Sequence, residues 1–225
     1  MPDITGKYSP IESWVYERVF ADATLDSVST VIDRLGAAVS VGDSVLDVGC
    51  GGGQLAVRVV GRYQGVRVTG VDLTPEQIAR ATKRAHDLPS SMRERLQFHT
   101  ASALDLPFDD ESFDAVISVT SIMNWPDRTK GIEEIVRVLK AGGPLALVEL
   151  DRGCHLHDAR EHLRSSKLPP PLRTPFLGFW RTYVAGQGLD LDDARKAIAG
   201  QPVTSIAVER ISGTPFLMIA GTKSR

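Results

Sequence analysis

The chain has 225 residues, 42% of them hydrophobic and 24% charged, which is enough to bury the core of one globular domain. Its 26 lysines and arginines stand against 28 aspartates and glutamates, and the net charge of −2 carries no electrostatic footprint for nucleic acid; a small-molecule or lipid-like acceptor is expected instead. Two cysteines make no disulfide framework, and with no signal-peptide core and no apolar run near 18 residues a cytoplasmic protein without an integral membrane segment is expected.

From the N-terminus, Ile11, Trp14, Val15, Val19 and Phe20 follow Pro10 at helical spacing, predicting a short amphipathic helix over residues 8–20, outside the sheet. Leu25, Val28, Ile32, Leu35 and Val39 recur at alternating intervals of three and four, predicting an outer helix before the first strand. Residues 45–56 then read as a buried strand running into a glycine turn that opens a helix over 55–63, the arrangement that turns backbone N–H groups toward a ligand. A second strand, 66–72, ends in Asp72, 19 residues after Gly53, where a carboxylate accepts two hydrogen bonds from the vicinal hydroxyls of a ribose. Leu73 follows, then Thr74, Pro75, Glu76 and Gln77 as the cap and first turn of a helix. Short apolar runs at 96–99, 115–119 and 145–150 predict three further strands, with a helix carrying Ile132, Ile135, Val136 and Leu139 before the last of them.

Spacing within the glycine turn separates two ligand classes. A dinucleotide turn needs Gly-x-Gly-x-x-Gly; counted from Gly49 the third position is Gln54, and counted from Gly51 it is Ala56, a register that starts the turn two residues late. The pattern Asp-x-Gly-x-Gly-x-Gly at 47, 49, 51 and 53 instead resembles motif I of the class I S-adenosylmethionine-dependent methyltransferases. Three later stretches also resemble that family: Ala101 to Phe108, with Ser102 at the usual Asp position and Asp105 as the nearby carboxylate; Asp110 to Val119; and Arg137-Val138-Leu139-Lys140-Ala141-Gly142-Gly143.

The resemblance implies an α/β fold with a doubly wound, mostly parallel seven-stranded sheet and a C-terminal antiparallel hairpin. It implies that Asp47 faces the cofactor's ammonium group, that Gly49, Cys50, Gly51 and Gly53 pass under its methionine part, and that Asp72, Leu73, Gln77, Ser102 and Ala103 hold its adenosine. Ser118 and Val119 at the end of the fourth strand would touch the cofactor, and Asn124 and Trp125 would face the acceptor. Tyr8, Trp14 and Tyr16 would form a lid in residues 1–40, over a cofactor-binding core at 44–150.

The final third is expected to carry specificity. His155, His157 and Asp158 sit just past the fifth strand; a metal site is not expected there, and His155 and His157 are the candidate general bases, with Tyr8 or Tyr16 of the lid as further candidates. Pro169, Pro170 and Pro171 mark a stiff loop, and Phe176 and Trp180 lie on a helical acceptor-side cap spanning 151–200. Residues 203–210 and 215–220 predict the closing hairpin within 203–222. The expected activity is methyl transfer from S-adenosylmethionine, most readily to oxygen, in a single methyltransferase domain whose oligomeric state the sequence leaves open. Two alternatives stand beside it: an NAD(P)-dependent reductase on the same turn, although no tyrosine has a lysine four residues later, and a non-catalytic cofactor-binding scaffold.

Overall fold

A computed structural model describes residues 15–36 and 38–225; Tyr8 and Trp14 lie outside the described residues. The apolar runs at 44–48, 115–119 and 144–150 become strands buried on both faces, as the centre of a parallel sheet requires. The strands are β1 (Ser44–Val48), β2 (Arg67–Asp72), β3 (Leu96–Thr100), β4 (Ala115–Val119), β5 (Pro144–Leu150), β6 (Val203–Arg210) and β7 (Phe216–Lys223), in the spatial order β3-β2-β1-β4-β5-β7-β6. The first five pair in parallel, and β7 runs antiparallel between β5 and β6. This is the expected mostly parallel seven-stranded sheet with an antiparallel closing pair.

Alternation along β1 feeds two cores. Val45 packs into one with α1 (Ala21–Ser27), α2 (Ser29–Gly36) and α3 (Gln54–Arg62), while Leu46 and Val48 pack into the other with α5 (Arg128–Val138) and α8 (Leu191–Ile198). The helix α4 (Pro75–His86) follows β2, and α6 (Leu156–Ser165) and α7 (Pro170–Phe179) follow β5. The stripe from Leu25 to Leu35 is buried as expected but lies on two helices, because the chain leaves helical geometry at Val28, with φ −104° and ψ 13°. A second difference concerns the proline run. Pro169 caps α7, and Pro170 and Pro171 form its first turn, where the missing N–H groups have no intrahelical partner to lose; the run starts a helix instead of forming a stiff loop.

The segment Arg137 to Gly143 acts by packing and bracing. Arg137 donates to Glu134 and Asp110 and to the carbonyl oxygens of Leu106 and Phe108, all at 2.8–3.0 Å, and so ties the acidic turn at 109–111 to α5. Lys140 Nζ lies 2.6 Å from Asp114, fixing the entry to β4. Replacing Arg137 with Ala removes charge-assisted bonds to two carboxylates and two carbonyls; a loss of about 2 kcal/mol is expected, read as a melting temperature roughly 4–8 °C lower.

Candidate cofactor and acceptor site

The carboxyl ends of β1, β2 and β4 open into one cavity of about 180 Å³. Adjacent strands place Asp72 (β2), Asp47 (β1) and Val119 (β4) along its floor in that order, so strand spacing alone spreads the three positions into a row. Above β1 the loop turns on Gly49 (φ +75°) and Gly51 (φ +51°). A Cβ on Gly49 would stand 1.9 Å from Ser121 Oγ, whereas one on Gly51 would meet nothing within 4 Å. Gly49 therefore permits contact between two loops, and Gly51 leaves its space to the cavity.

Asp72 fixes that loop. One of its carboxylate oxygens accepts the Gly51 N–H at 3.0 Å and the other accepts the Thr74 N–H at 2.9 Å, which also sets the start of α4. The other lone pair on each oxygen remains for a diol. Leu73, 37% exposed, stands at the rim beside it, and Gln77 is buried below with an Oε1 that has no hydrogen-bond partner.

Asp47 is the site's main electrostatic feature. It is 1% exposed, lines the cavity, and its Oδ2 has no hydrogen-bond partner. Burial, with a further contribution from the charge of Asp72, pushes its carboxyl from 3.8 up to about 8. A buried carboxyl with an idle oxygen in a glycine-walled cavity fits a cationic group, such as an ammonium beside a sulfonium. Cys50 shares the wall, and burial together with the charges of Asp47 and Asp72 holds its thiol protonated.

The other sequence-derived residues divide. Ala103, Ser102, Val119, Tyr16, Asn124 and Trp125 line the same cavity. The Ser102 hydroxyl accepts the Leu104 N–H at 3.1 Å, so it shapes its own turn, while Asp105 is exposed and stands outside the lining. Ser118 is fully buried and donates to the Val48 carbonyl at 2.7 Å, joining β4 to β1 instead of facing the cavity. Gly53 also lies outside it: a Cβ there would meet Ala81 at 2.9 Å and Phe98 at 3.0 Å, so this glycine lets α3 begin close to β3 and α4.

The C-terminal candidates stand apart from the cavity. His155 and His157 are exposed at the start of α6, and Phe176 and Trp180 pack away from it, Phe176 on Phe20 with ring centroids 5.8 Å apart and Trp180 on His162 at 5.7 Å. Nearby Asp151 is buried against Arg210, and Arg152 pairs with Asp190, so these carboxylates are held by arginines.

Several lining residues had no motif to announce them. Glu17, on the helical turn Tyr16–Phe20, reaches Arg84 at 2.5 Å and Arg80 at 3.3 Å on α4, which lays this turn across the cavity mouth. Tyr16 Oη lies 3.0 Å from Thr120 Oγ1, and burial raises the Tyr16 phenol above its ordinary value. Glu149 sits beneath Ile122 and Met123, accepting their N–H groups at 2.5 and 3.4 Å. Its one sequence signal is a charged residue inside the otherwise apolar run of β5.

The raised Asp47 carboxyl sets a pH dependence with a definite sign. Between about pH 4 and 8 the folded chain keeps a proton that the unfolded chain has released, so this group's contribution to stability falls as pH rises through that window. A bound cation reverses the preference and expels the proton. Calorimetric titration with S-adenosylhomocysteine at pH 7, in buffers of different ionisation enthalpy, should register release of close to one proton, with affinity weakening by up to about tenfold per pH unit below 8. Asp47→Asn should abolish the release.

Comparison with known proteins places this geometry. Residues 46–147 match the methyltransferase domain family. The chain is similar to a 27-O-demethylrifamycin SV methyltransferase of Amycolatopsis mediterranei, 39% identical over 128 residues that make up 56% of this chain and 46% of that protein. It is also similar to an erythromycin 3''-O-methyltransferase of Saccharopolyspora erythraea, 40% identical over 114 residues, 51% of this chain and 37% of that one. The chain thus spans less than half the length of these two curated relatives. A SAM-dependent methyltransferase structure from Aquifex aeolicus matches with a TM-score of 0.67 over 96% of this chain and 99% of that one; at 17% identity this is a likeness of fold. Among the described residues no helix is long and apolar enough to cross a membrane. Matched sequence and observed sheet order agree: residues 46–147 form a methyltransferase domain, of the class I S-adenosylmethionine-dependent kind.

Proposed function

We propose that this chain binds S-adenosylmethionine along the row from Asp72 to Val119 and transfers its methyl group to a hydroxyl oxygen of a small, neutral, largely apolar acceptor. The observation that carries the cofactor half is the buried Asp47 oxygen without a partner, beside a glycine that leaves its space open. When bound, the cofactor supplies a methyl group already activated by the positive charge on sulfur. The protein's own work is then to orient and to exclude water.

The acceptor half rests on the cavity's β4 end. Tyr16, Thr120, Ser121 and Asn124 bring neutral hydroxyls and an amide, while Leu25 and Trp125 bring apolar walls. The one carboxylate on the overlying turn, Glu17, is neutralised by two arginines. Such a set orients a hydroxyl by hydrogen bonding and offers a charged acceptor no counter-ion. With its phenol raised, Tyr16 acts here as a hydrogen-bonding group, not as a phenolate base. The names of the two antibiotic O-methyltransferases support oxygen as the methylated atom.

A thermal-shift series tests the cofactor. At about 100-fold excess over its dissociation constant a ligand adds roughly 2.7 kcal/mol, so S-adenosylhomocysteine and S-adenosylmethionine should each raise the melting temperature by about 5–10 °C, and NAD and NADP should not. The acceptor is tested by mass spectrometry on a panel of neutral hydroxylic, amine and phosphorylated compounds incubated with S-adenosylmethionine. A methyl gain confined to the hydroxylic members is expected. A shift with NAD or NADP alone overturns the cofactor reading, and a methyl gain only on charged amines overturns the acceptor reading.

A further inference from the structure

Three residues other than glycine have positive φ among the described residues, and they differ in kind. Glu111 lies in an exposed turn and Ser205 at an irregularity in the register of β6, both places where the backbone is free to distort. Thr120, with φ +53°, is β-branched and lines the cavity, and for that side chain the left-handed region is strained. A glycine or asparagine would make the same turn more easily. What the threonine adds is a hydroxyl 3.0 Å from Tyr16 Oη.

The surroundings hold this conformation from three sides. The Thr120 N–H donates to the Val148 carbonyl at 2.8 Å. One residue on, Ser121 packs against Gly49 so closely that no Cβ fits there, and its Oγ accepts from the Trp125 indole at 3.0 Å. Beneath, the fully buried Glu149 accepts the Ile122 N–H. Strain that is over-determined in this way, beside a ligand cavity, points to a function for the strained side chain.

The partner of that side chain belongs to the turn across the cavity mouth. Glu17 fastens this turn to α4 on the Asp72 side, and the adjacent Tyr16 reaches Thr120 on the β4 side, so the two contacts straddle the opening. We propose that Thr120 is a positioning residue: its strained backbone presents the hydroxyl that fastens Tyr16 and so registers the segment Tyr16–Phe20 over the methyl-transfer end of the cavity. The inference rests on the cavity being the cofactor site, and its test does not require the acceptor to be known.

The test uses the full chain and Thr120→Gly, Thr120→Ser, Tyr16→Phe and the Thr120→Gly/Tyr16→Phe pair. Two quantities are read: the melting temperature of the free protein and the rate at which S-adenosylhomocysteine dissociates in stopped flow. Thr120→Gly should melt no lower than the parent, because relief of strain offsets the lost contact, yet release the ligand about tenfold faster. Tyr16→Phe should release it equally fast, the pair no faster than either alone, and Thr120→Ser should restore slow release. Unchanged release in both single variants, additive acceleration in the pair, or a fall in melting temperature in Thr120→Gly without faster release overturns the proposal and leaves the cofactor reading standing. A parent protein that does not bind S-adenosylhomocysteine overturns both.

Discussion

The Gly51 amide donates to Asp72 across 3.0 Å, and that bond joins the loop after β1 to the end of β2. The second oxygen of the same carboxylate receives the Thr74 amide and starts α4, which in turn carries the arginines that hold Glu17. Glycine loop, start of α4 and overlying turn are therefore linked through one side chain. Because both of its oxygens already serve the backbone, Asp72 builds the site as well as facing it, and loss of this residue would disturb the loop before it disturbed any ribose contact.

Buried carboxyls are costly, and among the described residues Asp47 and Glu149 are kept where few partners exist. Asp47 at the floor is pushed up to about 8 and Glu149 beneath the turn after β4 to about 7, in both cases chiefly by burial. Each leaves one oxygen without a hydrogen bond. Their settings differ in a way that matters: Asp47 borders the cavity, whereas Glu149 spends its other oxygen on backbone amides and answers to the fold. At Asp47 the domain thus carries a buried polar group left unsatisfied at the wall of the cavity.

Much of the frame was legible because buried parallel strands write themselves as apolar runs that stop where the chain turns. The starts and ends of β1, β2, β4 and β5 fall within about a residue of the apolar segments read from sequence, and the closing hairpin lies where a β-branched run and an apolar run flank a glycine-containing turn. Glycine spacing likewise found Asp47, Gly49 and Gly51, since a tight turn under a ligand leaves few residue types open. Residues whose role comes from tertiary placement were not legible. Nothing in the local sequence marks Thr120 as left-handed or pairs Glu17 with Arg80 and Arg84, contacts that join segments more than 60 residues apart. His155 and His157 read as rim residues because they follow β5, but α6 begins there and leaves both exposed outside the cavity. Pro169 to Pro171 read as a loop because a proline run is ambiguous between a spacer and the start of a helix.

The position of β7 has a bearing on how the chain is made. It is the last strand in sequence order, yet it lies between β5 and β6, and its Leu217, Met218 and Ile219 are fully or almost fully buried. Until residues 216–223 arrive, β5 is an open edge with Leu145, Leu147 and Val148 on its faces, and β6 has no partner among the strands of this sheet. During synthesis the cofactor-binding loops are complete long before the sheet is, and the unfinished molecule presents the kind of apolar strand edge on which chains aggregate. Closure of the sheet is therefore a late, long-range event, and the first five strands must be held in place until the hairpin arrives.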